Sequence, residues 1–257
     1  GEDDFLARVG GDEFVLVFSN RNARWDLDPT LQQIREVVSA PMSLQVTSVR
    51  PSMSIGVVSS PGHDGDSESI LRDGDTAMYE SKRTGRDRWT KFSSDVRDSA
   101  LARAITSDRV IEALNNNLFE LHFQPVVDIT TSLTVGSEAL LRMRTPDGRL
   151  LMPGEFLSAI ENGPLAQDVG YWVLDAALRQ QASWVTHQPD HRMSVNVSPR
   201  QLGHGTLPGQ IDELLTKYDL DPRLILLEIT EDVFVDARSS AGPELAAIRR
   251  MGLRLAV

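Results

Sequence analysis

In the stretch RVGGDEFVLVF, Arg8 to Phe18, two adjacent glycines and two adjacent carboxylates stand between apolar runs. Gly10 and Gly11 let a backbone approach a phosphate with no Cβ in the way, and their N–H groups can donate to it. Asp12 and Glu13 bring hard oxygen ligands of the kind Mg²⁺ takes alongside substrate phosphates. Further on, in DTAMYESKRTGR, Lys82 and Arg86 stand one helical turn apart, where their cations could reach a polyphosphate. A second group is spread more widely: Glu138 in SEALLRM, Asn196 in SVNVS and Glu228 in LLEITED. Each lies in a strand-like run, toward its C-terminal side. If those runs are successive strands of a βα barrel, the three side chains share one rim and can converge on a metal. Strand alternation agrees, because Asn196 shares a face with Ser194 and Ser198, and Glu228 with Leu226.

Each feature taken alone also has an ordinary explanation. GGDE can be a solvated hairpin turn, Lys82 and Arg86 can complement a helix dipole, a buried Asn usually satisfies backbone groups, and an acid at a strand end is usually solvated. The elements that must position these residues therefore matter. FLARV and FVLVF flank GGDE as a β-hairpin with the acids at its tip. Asp28-Pro29 offers an N-cap and first-turn proline for a helix closed by Pro41. LQVTSV (44–49) and SMSIGVV (52–58) are strand-like, and a helix spans about Ser67 to Thr84, with Ile70, Leu71, Ala77, Met78 and Ser81 on one face and Gly85 as its stop. Ser94 to about Asn115 is a polar connector helix. Thereafter strands LFELHFQPVV, LTVGSEALLRM, RMSVNVS, RLILLEIT and LRLAV alternate with helices from about Pro164 to Trp184, in LPGQIDELLTKY and in GPELAAIRRM. That alternation predicts a parallel βα architecture, with about half of a barrel present.

Composition bounds the chemistry. The 257 residues hold 37 acidic and 26 basic side chains, and neither half is basic: 15 against 11 up to Ser93, 22 against 15 after it. Duplex nucleic acid would meet net repulsion, so an anionic ligand needs local cations or metal ions. The absence of cysteine removes disulfides and thiolate metal sites and fits a reducing compartment, so a cytoplasmic location is the expectation. No apolar run approaches the roughly 18 residues of a membrane span, so any membrane tether would lie outside this chain. The histidines, His63, His122, His187, His191 and His204, lack close ligand spacing and point to surface or structural roles. Trp172 and Trp184 are spaced as helix-core residues. No GxSxG elbow or GxxxxGK[ST] loop is present.

The ordered pair GGDEF and AMYxSKxxGR, over Asp4 to about Phe92, resembles the diguanylate cyclase (GGDEF) family. The ordered set FQPVVD, EALLR, NVSPRQL and LEITEDVF, over about Asn115 to Val257, resembles the EAL family of cyclic di-GMP phosphodiesterases. These resemblances imply an α+β cyclase-like domain over 1–93, a connector helix over 94–114, and a TIM-like (β/α) barrel domain over 115–257. In the first domain Gly10 and Gly11 would approach the nucleotide, Asp12 would bind metal, Glu13 would support the site, and Lys82 and Arg86 would contact phosphates. In the second, Glu138, Asn196 and Glu228 would be metal ligands, Gln124 and Arg142 would contact the dinucleotide, and Glu231 would brace a neighbouring loop. Mg²⁺ or Mn²⁺ suits the all-oxygen donors.

The activity implied is hydrolysis of cyclic di-GMP to linear pGpG by the EAL half, with synthesis from two GTP as an activity of the GGDEF half. Because two GGDEF domains must face each other, a homodimer is expected. The other readings are a sensor that binds GTP or cyclic di-GMP without turnover, and an element that serves chiefly to dimerise through the connector helix. Two departures stand out. The family's Arg-x-x-Asp motif has Asp4 here but Gly1 at its Arg position, which bears on feedback inhibition. A first strand with another metal-binding aspartate would precede Gly1, and paired aspartates followed by a lysine and a glutamate would follow GLRLAV. The expectation is therefore a piece of a longer protein.

Overall fold

The computed structural model describes residues 4–19, 26–44, 48–59, 66–161, 163–230 and 241–257. The chain forms two compact units, Gly1–Leu101 and Ala102–Val257.

In the first unit, β1 (Phe5–Gly10) and β2 (Glu13–Val17) pair antiparallel, with Gly11 at φ +53° in the turn. Helix α1 (Asp28–Val38) takes Asp28 as its first helical residue rather than as its cap; the capping position is Leu27, which has no side-chain oxygen to offer. Short strands β3 (Met42–Ser43) and β4 (Ser48–Val49) pair antiparallel. Of the expected strand over 44–49, only this last pair is a strand among the described residues, and 45–47 lie outside them.

Strand β5 (Ser54–Val57), helix α2 (Ser67–Arg83) and β6 (Arg88–Lys91) make a parallel β-α-β unit. Asp66 caps α2 by accepting from the Ser69 N–H at 2.9 Å. The buried face of α2 is Asp73, Ala77 and Ser81, spaced four apart, while Leu71, expected on that face, is exposed. Gly56 is required here: a Cβ on it would lie 1.9 Å from the Gly74 carbonyl oxygen, so helix and strand approach backbone to backbone. Helix α3 (Ser94–Asn115) follows. Near its start Arg97 donates to Asp73 at 2.9 Å and lies 5.0 Å over the Phe92 ring.

The second unit is built on a sheet of order β12-β11-β10-β8-β7, with β9 also paired to β8. Its strands are β7 (Phe119–Val127), β8 (Thr134–Arg144), β9 (Leu150–Leu151), β10 (Arg192–Val197), β11 (Ile225–Ile229) and β12 (Arg254–Ala256). Between them lie α4 (Pro153–Glu161), α5 (Ala166–Val185), α6 (Leu207–Tyr218) and α7 (Ala241–Arg250). Strands β8, β10, β11 and β12 are parallel, as the alternation predicts. Of the expected strands the exception is β7, which runs antiparallel to β8, as does the short β9. A parallel crossover needs a dozen or more residues, and only Asp128–Leu133 separates β7 from β8. Asp128 closes that reversal by accepting from the Thr130 and Thr131 N–H groups, both at 2.9 Å.

The period of two divides the sheet into faces. Ala139 and Met143, Met193, Val195 and Val197, and Ile225, Leu227 and Ile229 are buried in one core with Leu174 and Leu178 of α5, Ile211 and Leu214 of α6, and Ile248 of α7. Trp172 and Trp184 flank this core, with ring centroids 5.6 Å from Phe119 and 4.9 Å from Phe123 respectively. The alternate residues face the other side of the sheet. Among the described residues no helix is long and apolar enough to cross a membrane.

Candidate metal and phosphate sites

The strand register assembles the second group of candidate residues. Gln124 stands opposite Glu138, Glu138 opposite Ser194, and Asn196 opposite Glu228. Because residues directly opposite one another point to the same face, Gln124, Glu138, Asn196 and Glu228 form a row across four adjacent strands, on the face away from the helices. Asn196 Nδ2 donates to Glu138 Oε1 at 2.8 Å, joining two positions 58 residues apart in sequence. Asn196 and Glu228 are each the penultimate residue of their strands, as expected. Glu138 is not at a strand end. It is the fifth residue of eleven, because β8 continues past it to pair with β9 at Met143 and Arg144.

This donor set fits a hard divalent cation. The Asn196 bond uses the amide nitrogen and one carboxylate oxygen, leaving Asn196 Oδ1 and Glu138 Oε2 without a hydrogen bond among the described residues. The Glu228 carboxylate has no hydrogen-bond partner or ion pair among the described residues. Three His, Asp or Glu side chains do not gather at any one place among the described residues, and here the third oxygen donor is a carboxamide. Such an all-oxygen set is what Mg²⁺ or Mn²⁺ takes.

Arg142 lies on the same face as Glu138, four residues along the strand and so about 13 Å away. Its Nη1 donates to the Leu141 carbonyl at 2.8 Å. Beside it, Glu120 accepts both Nε and Nη2 of Arg144, at 2.8 and 3.0 Å, and pairs with His122 Nε2 at 2.9 Å. Those bonds from His122 and Arg144 hold the Glu120 carboxyl below the ordinary carboxylate range. His122 thus has a surface role, as expected, and His191 a structural one. His191 is buried, Nδ1 donates to Gln181 Oε1 at 2.9 Å, and Ser137 Oγ lies 3.2 Å from Nε2. Because Gln181 Nε2 donates to the His191 carbonyl, the oxygen of that amide faces Nδ1, which therefore carries a hydrogen.

In the first unit Asp12 lies in the turn and Glu13 opens β2, both exposed at the hairpin tip. Arg8 was not among the expected functional residues. Its Nε and Nη2 donate to the Gly11 carbonyl at 2.9 and 2.6 Å, so it clamps the turn from which the two acids project. Asp4 accepts from the Ser19 N–H at 3.3 Å. Lys82 belongs to the last turn of α2, but Arg86 does not stand one turn further on the helix. Gly85 at φ +125° ends it, and the Arg86 N–H returns to the Ser81 carbonyl at 3.1 Å, a Schellman closure that turns Arg86 away from the helical path. Gly1, His63 and Glu231 lie outside the described residues.

Residues 107–257 match the model of the EAL domain. The chain belongs to the EAL-domain family. Residues 1–88 match the model described as diguanylate cyclase, GGDEF domain, so a GGDEF domain precedes the EAL domain. The chain is 30% identical over its whole length to signaling protein YkoW of Bacillus subtilis, covering 32% of that protein. It is 31% identical over 99% of its length to the bifunctional diguanylate cyclase/cyclic di-GMP phosphodiesterase MucR of Pseudomonas aeruginosa, covering 37% of it. It is 32% identical over 91% of its length to the cyclic di-GMP phosphodiesterase PdeR of Escherichia coli, covering 35% of it. The chain therefore spans about a third of the length of these curated relatives. Among solved structures it is similar to the PaMucR phosphodiesterase in a c-di-GMP complex, with a TM-score of 0.53 and 32% identity over 58% of this chain and 61% of that one. The FimX EAL domain of Xanthomonas citri, also in complex with c-diGMP, gives a TM-score of 0.53 and 25% identity over 62% of each chain.

Proposed function

We propose that the EAL domain hydrolyses cyclic di-GMP to linear pGpG in a metal-dependent reaction, as part of a longer protein. The observation that carries this reading is the row Gln124, Glu138, Asn196 and Glu228, in which the Asn196–Glu138 hydrogen bond leaves an all-oxygen donor set on one sheet face. MucR and PdeR, both named as cyclic di-GMP phosphodiesterases, are similar to nearly all of this chain.

In this reading Glu138, Asn196 and Glu228 hold Mg²⁺ or Mn²⁺, which supplies positive charge to the phosphate oxygens and favours deprotonation of water. Gln124, opposite Glu138, orients the dinucleotide by hydrogen bonding. Arg142 swings from the Leu141 carbonyl to a non-bridging phosphate oxygen, where its planar fork makes two bonds. Glu231 braces a neighbouring active-site loop. Water adds to one phosphorus and the bond to the ribose 3′ oxygen breaks, which opens the ring.

The GGDEF domain, assigned to residues 1–93 and joined to the EAL domain (115–257) by α3, binds GTP in the same proposal. Gly10 and Gly11 approach its phosphates, Asp12 and Glu13 serve the metal, and Lys82 and Arg86 contact the phosphate chain. Synthesis from two GTP requires a second copy facing the first, so a homodimer belongs to the proposal. A cytoplasmic location fits both nucleotides.

The test is incubation of the full-length protein with cyclic di-GMP and Mg²⁺ or Mn²⁺, beside the Asn196→Ala variant. Formation of pGpG by the wild type and its loss in the variant is the expected result. Binding of cyclic di-GMP without pGpG at saturating metal would overturn hydrolysis and make the protein a sensor.

A further inference from the structure

The segment SPRQ directly after β10 forms a single 3₁₀ turn, Pro199–Gln201, whose capping holds the end of the strand that carries Asn196. Ser198 Oγ accepts from the Arg200 N–H at 3.3 Å, and Gln201 Oε1 reaches back to accept the Ser198 N–H at 2.9 Å. Gln201 is 7% exposed, an uncommon degree of burial for this residue type. It is buried against helix α5 at Gly170, where a Cβ would lie 2.1 Å from Gln201 Nε2 and 2.3 Å from its Cδ. The missing side chain at Gly170 is thus the space that the Gln201 amide occupies.

The fixed backbone at Ser198 directly follows β10 and is two residues from Asn196. The Asn196 carboxamide must remain within reach of Glu138 on the neighbouring strand while presenting Oδ1 outward. We propose that Gln201, seated on Gly170, is a positioning residue for Asn196. By fixing the Ser198 backbone to α5, it sets the direction of the carboxamide that bridges to Glu138. This rests on the reading of Glu138, Asn196 and Glu228 as metal ligands only for its functional consequence, since the placement of the carboxamide can be observed without metal.

The test uses three variants of the full chain. Gln201→Met keeps length and removes the acceptor. Gly170→Ala leaves Gln201 intact but fills its seat, and improves the intrinsic helix preference of α5. Gln201→Glu keeps an acceptor oxygen in a Ser-x-x-Glu capping box. The first readout is the pair of Asn196 side-chain amide resonances in a ¹H–¹⁵N spectrum, identified by their disappearance in Asn196→Asp. The second is Mn²⁺ affinity by calorimetry.

Gln201→Met and Gly170→Ala are expected to move the Asn196 resonances and weaken Mn²⁺ binding about 10- to 100-fold, the usual loss when an outer support of a metal ligand is removed. Gln201→Glu is expected to retain both. Unchanged Asn196 resonances in either disruptive variant would overturn the positioning role. A wild-type chain that binds no Mn²⁺ would instead overturn the metal reading, with the resonances still deciding the role of Gln201.

Discussion

Asn196 Nδ2 donates to Glu138 Oε1 at 2.8 Å, and both side chains lie on the sheet face away from the helices. The bond orients two oxygen donors from separate strands before any ligand arrives. A carboxamide does this better than a third carboxylate would: it neutralises part of the Glu138 charge through its N–H and still offers an acceptor oxygen.

Replacing Asn196 by Ala is therefore expected to reduce pGpG formation at least about 100-fold, with little loss of stability because the side chain is exposed. Asn196→Asp should also lower activity, since it puts two carboxylates side by side without the N–H, and its deficit should narrow as Mn²⁺ is raised. Steady-state product assays across a metal titration, with thermal unfolding as the control, check both. Wild-type rates in Asn196→Ala would remove the residue from the site.

At the hairpin tip, Asp12→Asn is expected to change stability by less than about 0.5 kcal/mol, because the residue is exposed. If the turn holds metal and phosphate, the same change should weaken Mn²⁺–GTP binding at least about tenfold, since it removes a charged ligand. Unaltered GTP affinity would return GGDE to an ordinary turn.

His191 sets a pH dependence of stability. Burial lowers its folded-state pKa below the ordinary 6.5, so between that lowered value and 6.5 the unfolded chain binds more protons than the folded one. Stability should be unaffected by this group above about pH 6.5 and should decline as the pH falls through the window. Urea unfolding at several pH values in wild type and His191→Asn tests it. The variant should be less stable overall but lack this part of the acid slope, and identical slopes would refute the assignment.

Gly56→Ala should destabilise the first unit by about 1–3 kcal/mol or more, the cost of overpacking, since the added methyl would meet the Gly74 carbonyl oxygen at 1.9 Å and the Met78 nitrogen at 2.5 Å. Both are backbone atoms of one helix and neither can turn aside. The midpoint of urea unfolding measures it, and an unchanged midpoint would mean that strand and helix separate at no cost.

Long periodic elements were legible in the sequence, and local exceptions were not. Helices α2, α5 and α6 fall within about two residues of where their apolar spacing puts them, because each buries a continuous stripe. Strand β6 carries no strand pattern of its own: Arg-Trp-Thr-Lys has charges at both ends, and only its parallel partner β5 makes it a strand. The direction of β7 could have been inferred from loop length, but alternation of elements alone suggests a parallel strand. At the site, motifs marked Glu138, Asn196 and Glu228, while the Asn196–Glu138 bond depends on sheet register and has no trace in spacing. Helical spacing does not reach Arg86, because the backbone leaves the helix at Gly85. Arg8 acts through a carbonyl, which no side-chain pattern discloses. The capping role of Gln201 was available in the spacing of SPRQ, yet only burial against Gly170 distinguishes it from a surface turn.

The reversal at Asp128–Leu133 has a consequence for how this domain tolerates change. Because β7 is held to β8 by a short turn, a slip of one residue along β7 would move Gln124 to the core face beside Trp184 and turn Phe123 to the face that carries Glu138 and Asn196. Gains or losses of length in related chains should therefore collect in that turn, leaving the number of residues between Phe119 and Gln124 constant even where their identities drift.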